Sequence, residues 1–121
     1  MTTVLVADDD EDILLLVTTR LRRDGFEVVQ ARDGDEALAA ARELRPDVAV
    51  LDIGMPGLDG LAVLQALRED PELAGTRVLL LTAKAQEQDV RRGLDLGADE
   101  YVKKPFSPLE LSAAVSRLAG S

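Results

Sequence analysis

Short apolar runs alternate with longer, more polar stretches along the whole chain. The runs that predict strands are Val4–Ala7, Phe26–Ala31, Val48–Leu51, Val78–Leu81 and Tyr101–Val102. The first, third and fourth runs are nearly continuous in Val, Leu and Ala, which is typical of parallel strands covered on both faces. The pattern therefore predicts a sheet whose central strands are buried.

The stretches between these runs carry apolar residues at helical spacing. The predicted buried faces of the five helices are Leu14, Val17 and Leu21; Leu38, Ala41 and Leu44; Leu61, Leu64 and Leu67; Val90 and Leu94; and Leu111, Val115 and Leu118. Gly25, Pro46 and Pro71 indicate where the first three helices end. The fourth helix, predicted from residue 86 to about residue 96, has the weakest apolar face.

Five strand–helix units predict an α/β fold with a doubly wound, five-stranded parallel sheet and right-handed crossovers. The length of 121 residues suits a single domain over residues 1–121, and 46% hydrophobic with 31% charged residues is an ordinary globular mixture. The net charge of −9 argues against direct nucleic acid binding, which needs clustered Lys and Arg.

The chain contains no Cys and no His. Disulfides, thiolate and imidazole metal ligands and an internal phosphohistidine are therefore excluded, and a cytoplasmic location is expected. No apolar run is long enough to span a bilayer. The start lacks the basic segment followed by an apolar one that marks a signal peptide, so we expect no membrane association.

Chemically active side chains follow four of the predicted strands where each strand ends. Asp8 and Asp9 follow the first, Asp52 the third, Thr82 the fourth and Lys104 the fifth. In an open parallel sheet such groups emerge at one edge, where ligands bind. Each of these residues alone can have a purely structural role, since acids after a strand often cap the next helix or stabilise a turn. Their conjunction favours a binding site.

These residues stand in segments that resemble the receiver domain of bacterial response regulators, the phosphoacceptor of two-component and phosphorelay signalling. The segments are VLVADD (4–9), LDIGMPGLDG (51–60), LLLTA (79–83) and GADEYVKKPF (97–106). The resemblance covers essentially the whole chain. It implies a flavodoxin-like (βα)5 fold with the strand order 2-1-3-4-5.

The resemblance also implies a reaction at Asp52, which would accept a phosphoryl group in a reaction that depends on Mg²⁺ or Mn²⁺. The metal ligands would be Asp9, Asp52 and the backbone carbonyl of Gly54, with Asp8 acting mainly through a bound water. An all-oxygen set of this kind suits a hard divalent cation.

The other implied roles concern the phosphoryl oxygens and the response to them. Lys104, the Thr82 hydroxyl and the Ala83 N–H would bind the oxygens, and a cis peptide between Lys104 and Pro105 would aim the lysine inward. Thr82 would shift toward the phosphoryl group and Tyr101 would rotate behind it. Burial alone favours a half-buried strand aromatic with its hydroxyl in water, and the resemblance reverses that preference.

The resemblance implies two kinds of partner, one that donates the phosphoryl group and one that receives the signal. Because the chain has no His, the donor would be a sensor histidine kinase or a histidine phosphotransfer protein. The output would pass from the fourth helix, fifth strand and fifth helix to a downstream protein, a fused effector domain or a second copy in a homodimer. Ala114 stands where DNA-binding relatives carry an Arg, which weakens the case for their usual dimer. Such a domain is a signalling phosphoacceptor and not an enzyme, since it catalyses only its own phosphorylation and dephosphorylation.

Three alternatives are weaker. A phosphatase of the haloacid dehalogenase type needs an acid two residues after the nucleophile, where this chain has Gly54. A flavin carrier of the flavodoxin type needs a phosphate-binding loop after the first strand, where this chain has acids at residues 8–12. A non-phosphorylated pseudo-receiver that acts as a scaffold would not need the complete set of polar groups at the strand ends.

Overall fold

The computed structural model describes residues 1–83 and 86–120. Its strands are β1 (Thr3–Ala7), β2 (Glu27–Ala31), β3 (Val48–Asp52), β4 (Arg77–Thr82) and β5 (Glu100–Lys103). Its helices are α1 (Glu11–Arg23), α2 (Gly34–Leu44), α3 (Gly60–Glu69), α4 (Glu87–Asp95) and α5 (Pro108–Ala119). The predicted alternation of strands and helices is confirmed.

All five strands are parallel, and the order across the sheet is β2-β1-β3-β4-β5. The predicted order 2-1-3-4-5 is therefore confirmed. The strands end nearly in register, because Ala7 pairs with Leu51 and Thr82 pairs with Lys103. The residues that follow these strand ends therefore meet at one edge of the sheet.

Both faces of the sheet are covered, as the continuous apolar runs predict. Leu5 and Ala7 of β1 point into a core shared with α2 and α3. Val4 and Val6 point into a second core shared with α1 and α5. Successive side chains of a strand point to opposite faces, so this strand must be apolar at every position.

The helix ends follow from local chemistry. Asp10 caps α1 by accepting hydrogen bonds from the N–H groups of Asp12 (2.9 Å) and Ile13 (3.3 Å). Ser107 caps α5 in the same way, accepting from the Glu110 N–H at 3.0 Å. None of the described helices combines the length and the apolar character needed to cross a membrane.

Two predicted helix faces are wrong in detail. Leu44 of α2 is 42% exposed, and the buried face of that helix consists of Gly34, Ala37 and Ala41. Leu94 of α4 is also 42% exposed, and Gly93 is the buried residue of that helix. These helices lie so close to their neighbours that small residues, rather than Leu, form the contact.

The close approach of α4 to the sheet depends on the missing side chain at Gly93. A Cβ at this position would lie 2.4 Å from Leu80 Cδ1 and 3.3 Å from Leu61 Cδ2. With one glycine as its buried residue, α4 buries less apolar surface than the other helices and is the element least firmly attached to the core.

Candidate functional site

Three carboxylates converge at the carboxyl edge of the sheet. Asp8 and Asp9 follow β1, and Asp52 is the last residue of β3. One oxygen from each lies within 4.8 Å of the others. Asp8 and Asp52 are buried, whereas Asp9 is exposed at the mouth of the cluster.

Lys104 lies against the two buried carboxylates. Its ammonium nitrogen is 3.0 Å from Asp8 Oδ2 and 3.2 Å from Asp52 Oδ1. The peptide bond to Pro105 is cis. Burial lowers the pKa of Lys104, but the contacts with Asp8 and Asp52 outweigh it, so that its pKa lies above the ordinary value. The lysine is therefore a permanent cation in the site.

Asp52 is held in an environment that disfavours its charge. Burial raises the pKa of Asp52 from 3.8 to about 6, and the charge of Asp8 adds to the rise. Lys104 and the Gly54 N–H, which donates to Asp52 Oδ1 at 3.3 Å, oppose it. At pH 7 the carboxylate is still mostly ionised, so it retains a nucleophilic oxygen.

Two buried oxygens of the site have no hydrogen-bond partner among the described residues. They are Asp8 Oδ2 and Thr82 Oγ1, and both residues are fully buried. The Lys104 ammonium lies 3.0 Å from Asp8 Oδ2 and compensates its charge, whereas Thr82 Oγ1 has no such neighbour among the described residues. A buried polar group without a partner is costly, so it indicates a site for a ligand that supplies the missing contact.

The residues present fit a divalent cation. Within residues 1–83 and 86–120, three carboxylates face one ammonium at this site, which gives these groups a net negative charge. The donor atoms are all oxygens, the type that Mg²⁺ and Mn²⁺ prefer. The exposed Asp9 leaves the cluster open on one side for waters and an incoming group.

A family model described as the response regulator receiver domain matches residues 4–116. This chain belongs to that family. The DNA-binding response regulator MtrA of Mycolicibacterium smegmatis is 46% identical over 112 residues, which cover 93% of this chain and 48% of MtrA. The chain thus spans about half the length of the curated relatives it matches.

Two solved receiver domains extend the likeness to the fold. The chemotaxis protein CheY4 of Vibrio cholerae is 35% identical, with a TM-score of 0.91 and 98% of each chain covered. The receiver domain of a Pseudomonas aeruginosa sensor histidine kinase is 28% identical, with a TM-score of 0.90, 99% of this chain and 98% of that chain covered. It carries a magnesium ion coordinated in its active site cleft. The predicted membership in the receiver family of two-component response regulators is confirmed.

Tyr101 lies at the surface of the receiver domain. Its side chain is 39% exposed on β5. It lies in a groove of about 500 Å³ that is lined by residues of β5 and α5. Ion pairs flank it on both sides, Glu100 with Arg117 and Lys103 with Glu87. This outward position corresponds to the half-buried strand aromatic, so the inward rotation of Tyr101 stays a prediction.

One contact of the receiver site is absent from the sequence prediction. The Ala83 N–H, predicted to bind a phosphoryl oxygen, donates to Gln86 Oε1 at 2.9 Å. Gln86 is one residue before α4, and no charge or motif in the sequence marks it. Lys84, which flanks the site in sequence, lies outside the described residues.

Proposed function

We propose that this receiver domain accepts one phosphoryl group on Asp52 in a reaction that requires Mg²⁺ or Mn²⁺. The observation that carries the proposal is the buried hydroxyl of Thr82, which has no hydrogen-bond partner among the described residues and ends the strand beside that of Asp52. An ionised carboxylate, a fixed ammonium and an unused donor at adjacent strand ends match what phosphoryl transfer needs.

The transfer forms one bond and breaks one. A carboxylate oxygen of Asp52 attacks the phosphorus, so that a new P–O bond forms as the bond between phosphorus and the donor breaks. With a phosphohistidine donor, the P–N bond breaks and the imidazole leaves with its electron pair. With acetyl phosphate, acetate leaves. Hydrolysis of the aspartyl phosphate then returns the carboxylate and inorganic phosphate.

Each residue of the site has a distinct task in this proposal. A bound divalent cation would neutralise charge on the carboxylates and the phosphoryl oxygens, held by Asp9, Asp52 and the Gly54 carbonyl, with Asp8 behind them. Lys104 holds Asp52 in place and offers its remaining protons to a phosphoryl oxygen. Thr82 donates its hydroxyl proton to another.

The donor is proposed to be a phosphohistidine outside this domain, because residues 1–121 contain no His. The surface beside the site supports such docking. Leu15 and Leu16 of α1 are 66% and 45% exposed, and Leu109 of α5 is 65% exposed. A groove of about 330 Å³ lies between Leu16 and Lys104 and is also lined by Ile13, Pro105 and Phe106. A partner that covers these apolar side chains would bring its phosphohistidine to the mouth of the site.

The output is proposed to pass through α4, β5 and α5. Binding of Thr82 to the phosphoryl group would move the end of β4, and α4 is the neighbour with the least buried apolar surface. Beryllofluoride, which mimics a phosphoryl group, should therefore change amide hydrogen exchange from residue 86 to Tyr101. Changes confined to the loops that carry Asp9 and Asp52 would contradict this route.

The proposed function is tested by measuring the intact mass after incubation with acetyl phosphate and Mg²⁺. The wild type should gain the mass of one phosphoryl group, and Asp52→Asn should gain none. Asp59→Asn is the matched control, because Asp59 lies after the same strand, is exposed and can still cap α3 as Asn. An unlabelled wild type would favour the pseudo-receiver scaffold instead.

A further inference from the structure

Gln86 closes a small ring of hydrogen bonds at the end of β4. Its backbone N–H donates to the Ala83 carbonyl at 2.9 Å. Its side-chain Oε1 accepts from the Ala83 N–H, also at 2.9 Å. Both backbone groups of Ala83 are therefore engaged by one residue, and the side-chain amide lies back across the strand end.

The same side chain reaches the loop after β3. A Cβ placed on Gly54 would lie 2.5 Å from Gln86 Nε2 and 3.9 Å from Asp52 Oδ2. The amide therefore lies beside the phosphoacceptor, over a position where any residue other than glycine would displace it. Gly54 and Ala83 thus define the two sides of the space that Gln86 fills.

We propose that Gln86 is a positioning residue that shields the unphosphorylated site by holding the Ala83 N–H, and that its side chain must leave before a phosphoryl group can use that N–H. This inference rests on the proposed phosphorylation of Asp52. Gln86 Oε1 and a phosphoryl oxygen would accept a hydrogen bond from the same Ala83 N–H, so the two compete for it. The competition slows phosphorylation and favours the unphosphorylated state.

The alternative is that the two hydrogen bonds between Ala83 and Gln86 only stabilise the beginning of α4. Three substitutions separate the two roles. Gln86→Ala removes the acceptor. Gln86→Glu keeps an acceptor for the Ala83 N–H but adds a negative charge beside Asp52, which repels the incoming phosphoryl group. Gln88→Ala changes an exposed glutamine on the same helix and is the matched control.

The first measurement needs no phosphorylation. Amide exchange at Ala83 in the metal-free protein should become roughly five- to tenfold faster in Gln86→Ala, which is the effect of one lost hydrogen bond. Gly54→Ala should accelerate it as well, because its methyl group takes the place of the amide. Unchanged exchange at Ala83 in Gln86→Ala would overturn the proposed contact.

The second measurement is the initial rate of labelling by acetyl phosphate at saturating Mg²⁺. Gln86→Ala should be labelled roughly three- to tenfold faster than the wild type, Gln86→Glu more slowly, and Gln88→Ala at the wild-type rate. If the wild type is labelled but Gln86→Ala matches its rate, or Gln86→Glu is as fast as Gln86→Ala, the shielding role is wrong. A wild type that takes no label at all would instead overturn the assignment of Asp52.

Discussion

Removal of divalent cations should abolish labelling by acetyl phosphate, and Asp9→Ala should slow it on the order of a hundredfold. The reason is the charge of the cluster, where three carboxylates meet one ammonium among the residues that the structure describes. A phosphoryl donor is itself an anion, so without a cation it approaches a site that repels it. The measurement is the rate of mass gain with Mg²⁺, with a chelator, and with Mg²⁺ restored.

The control for this prediction is Asp12→Asn. Asp12 belongs to the same acidic run but lies in the first turn of α1, outside the cluster of three carboxylates. Its variant should be labelled at the wild-type rate. Labelling that persists in the chelator, or an equal loss in Asp9→Ala and Asp12→Asn, would show that the carboxylate cluster does not hold the required cation.

Replacing Lys104 by Met should destabilise the metal-free protein by about 2 kcal/mol at pH 7. The substitution leaves Asp8 and Asp52 buried without their cation, and breaking a fully buried pair costs about 3–5 kcal/mol. The value expected here is smaller because the site opens to water beside Asp9. Lys103→Met is the matched control, since its pair with Glu87 is exposed and should be worth less than about 0.5 kcal/mol.

Removing the negative charge of Asp52 should change the stability in the opposite direction to removing the positive charge of Lys104. Asp52→Asn should stabilise the metal-free protein by about 1 kcal/mol at pH 7, because burial and Asp8 disfavour the charge that the substitution removes. The pKa of Asp52 rises from 3.8 in the unfolded chain to about 6 in the folded one. The folded wild type therefore binds more protons in this interval and loses stability as the pH rises through it.

Urea denaturation between pH 4 and 8 in the presence of a chelator measures both effects. The free energy of unfolding of Asp52→Asn should equal that of the wild type near pH 4, and its excess over the wild type should reach its full size above pH 6. Adding Mg²⁺ should reduce it. A constant difference at every pH, or a Lys104→Met variant as stable as Lys103→Met, would mean that these charges do not interact as the distances indicate.

The site was predictable because its residues belong to strand ends. Continuous apolar runs reveal buried parallel strands, and such strands place their last residues at one edge of the sheet. The sequence alone therefore predicts that four of the site residues lie close together: Asp8, Asp52, Thr82 and Lys104. The registers of β1 with β3 and of β4 with β5 confirm that these strand ends meet.

The helix faces and the Gln86 contact could not be predicted in the same way. Helical spacing alone assigns Leu94 to the core, but the missing side chain at Gly93 brings a different part of α4 onto Leu80. The contact of Gln86 with Ala83 is a hydrogen bond between a side-chain oxygen and a backbone N–H three residues earlier. Neither feature has a periodic or charged signal, because both come from the close approach of backbone segments.

Locating the phosphoryl group in the wild type tests the central claim most directly. After incubation with acetyl phosphate and Mg²⁺, borohydride reduction converts an aspartyl phosphate to homoserine, which peptide mass spectrometry can place. The tryptic peptide of residues 43–68 contains Asp47, Asp52 and Asp59. We predict homoserine at residue 52 alone. Homoserine at either of the other two positions, or labelling that survives in Asp52→Asn, would contradict the assignment of Asp52 as the phosphoacceptor.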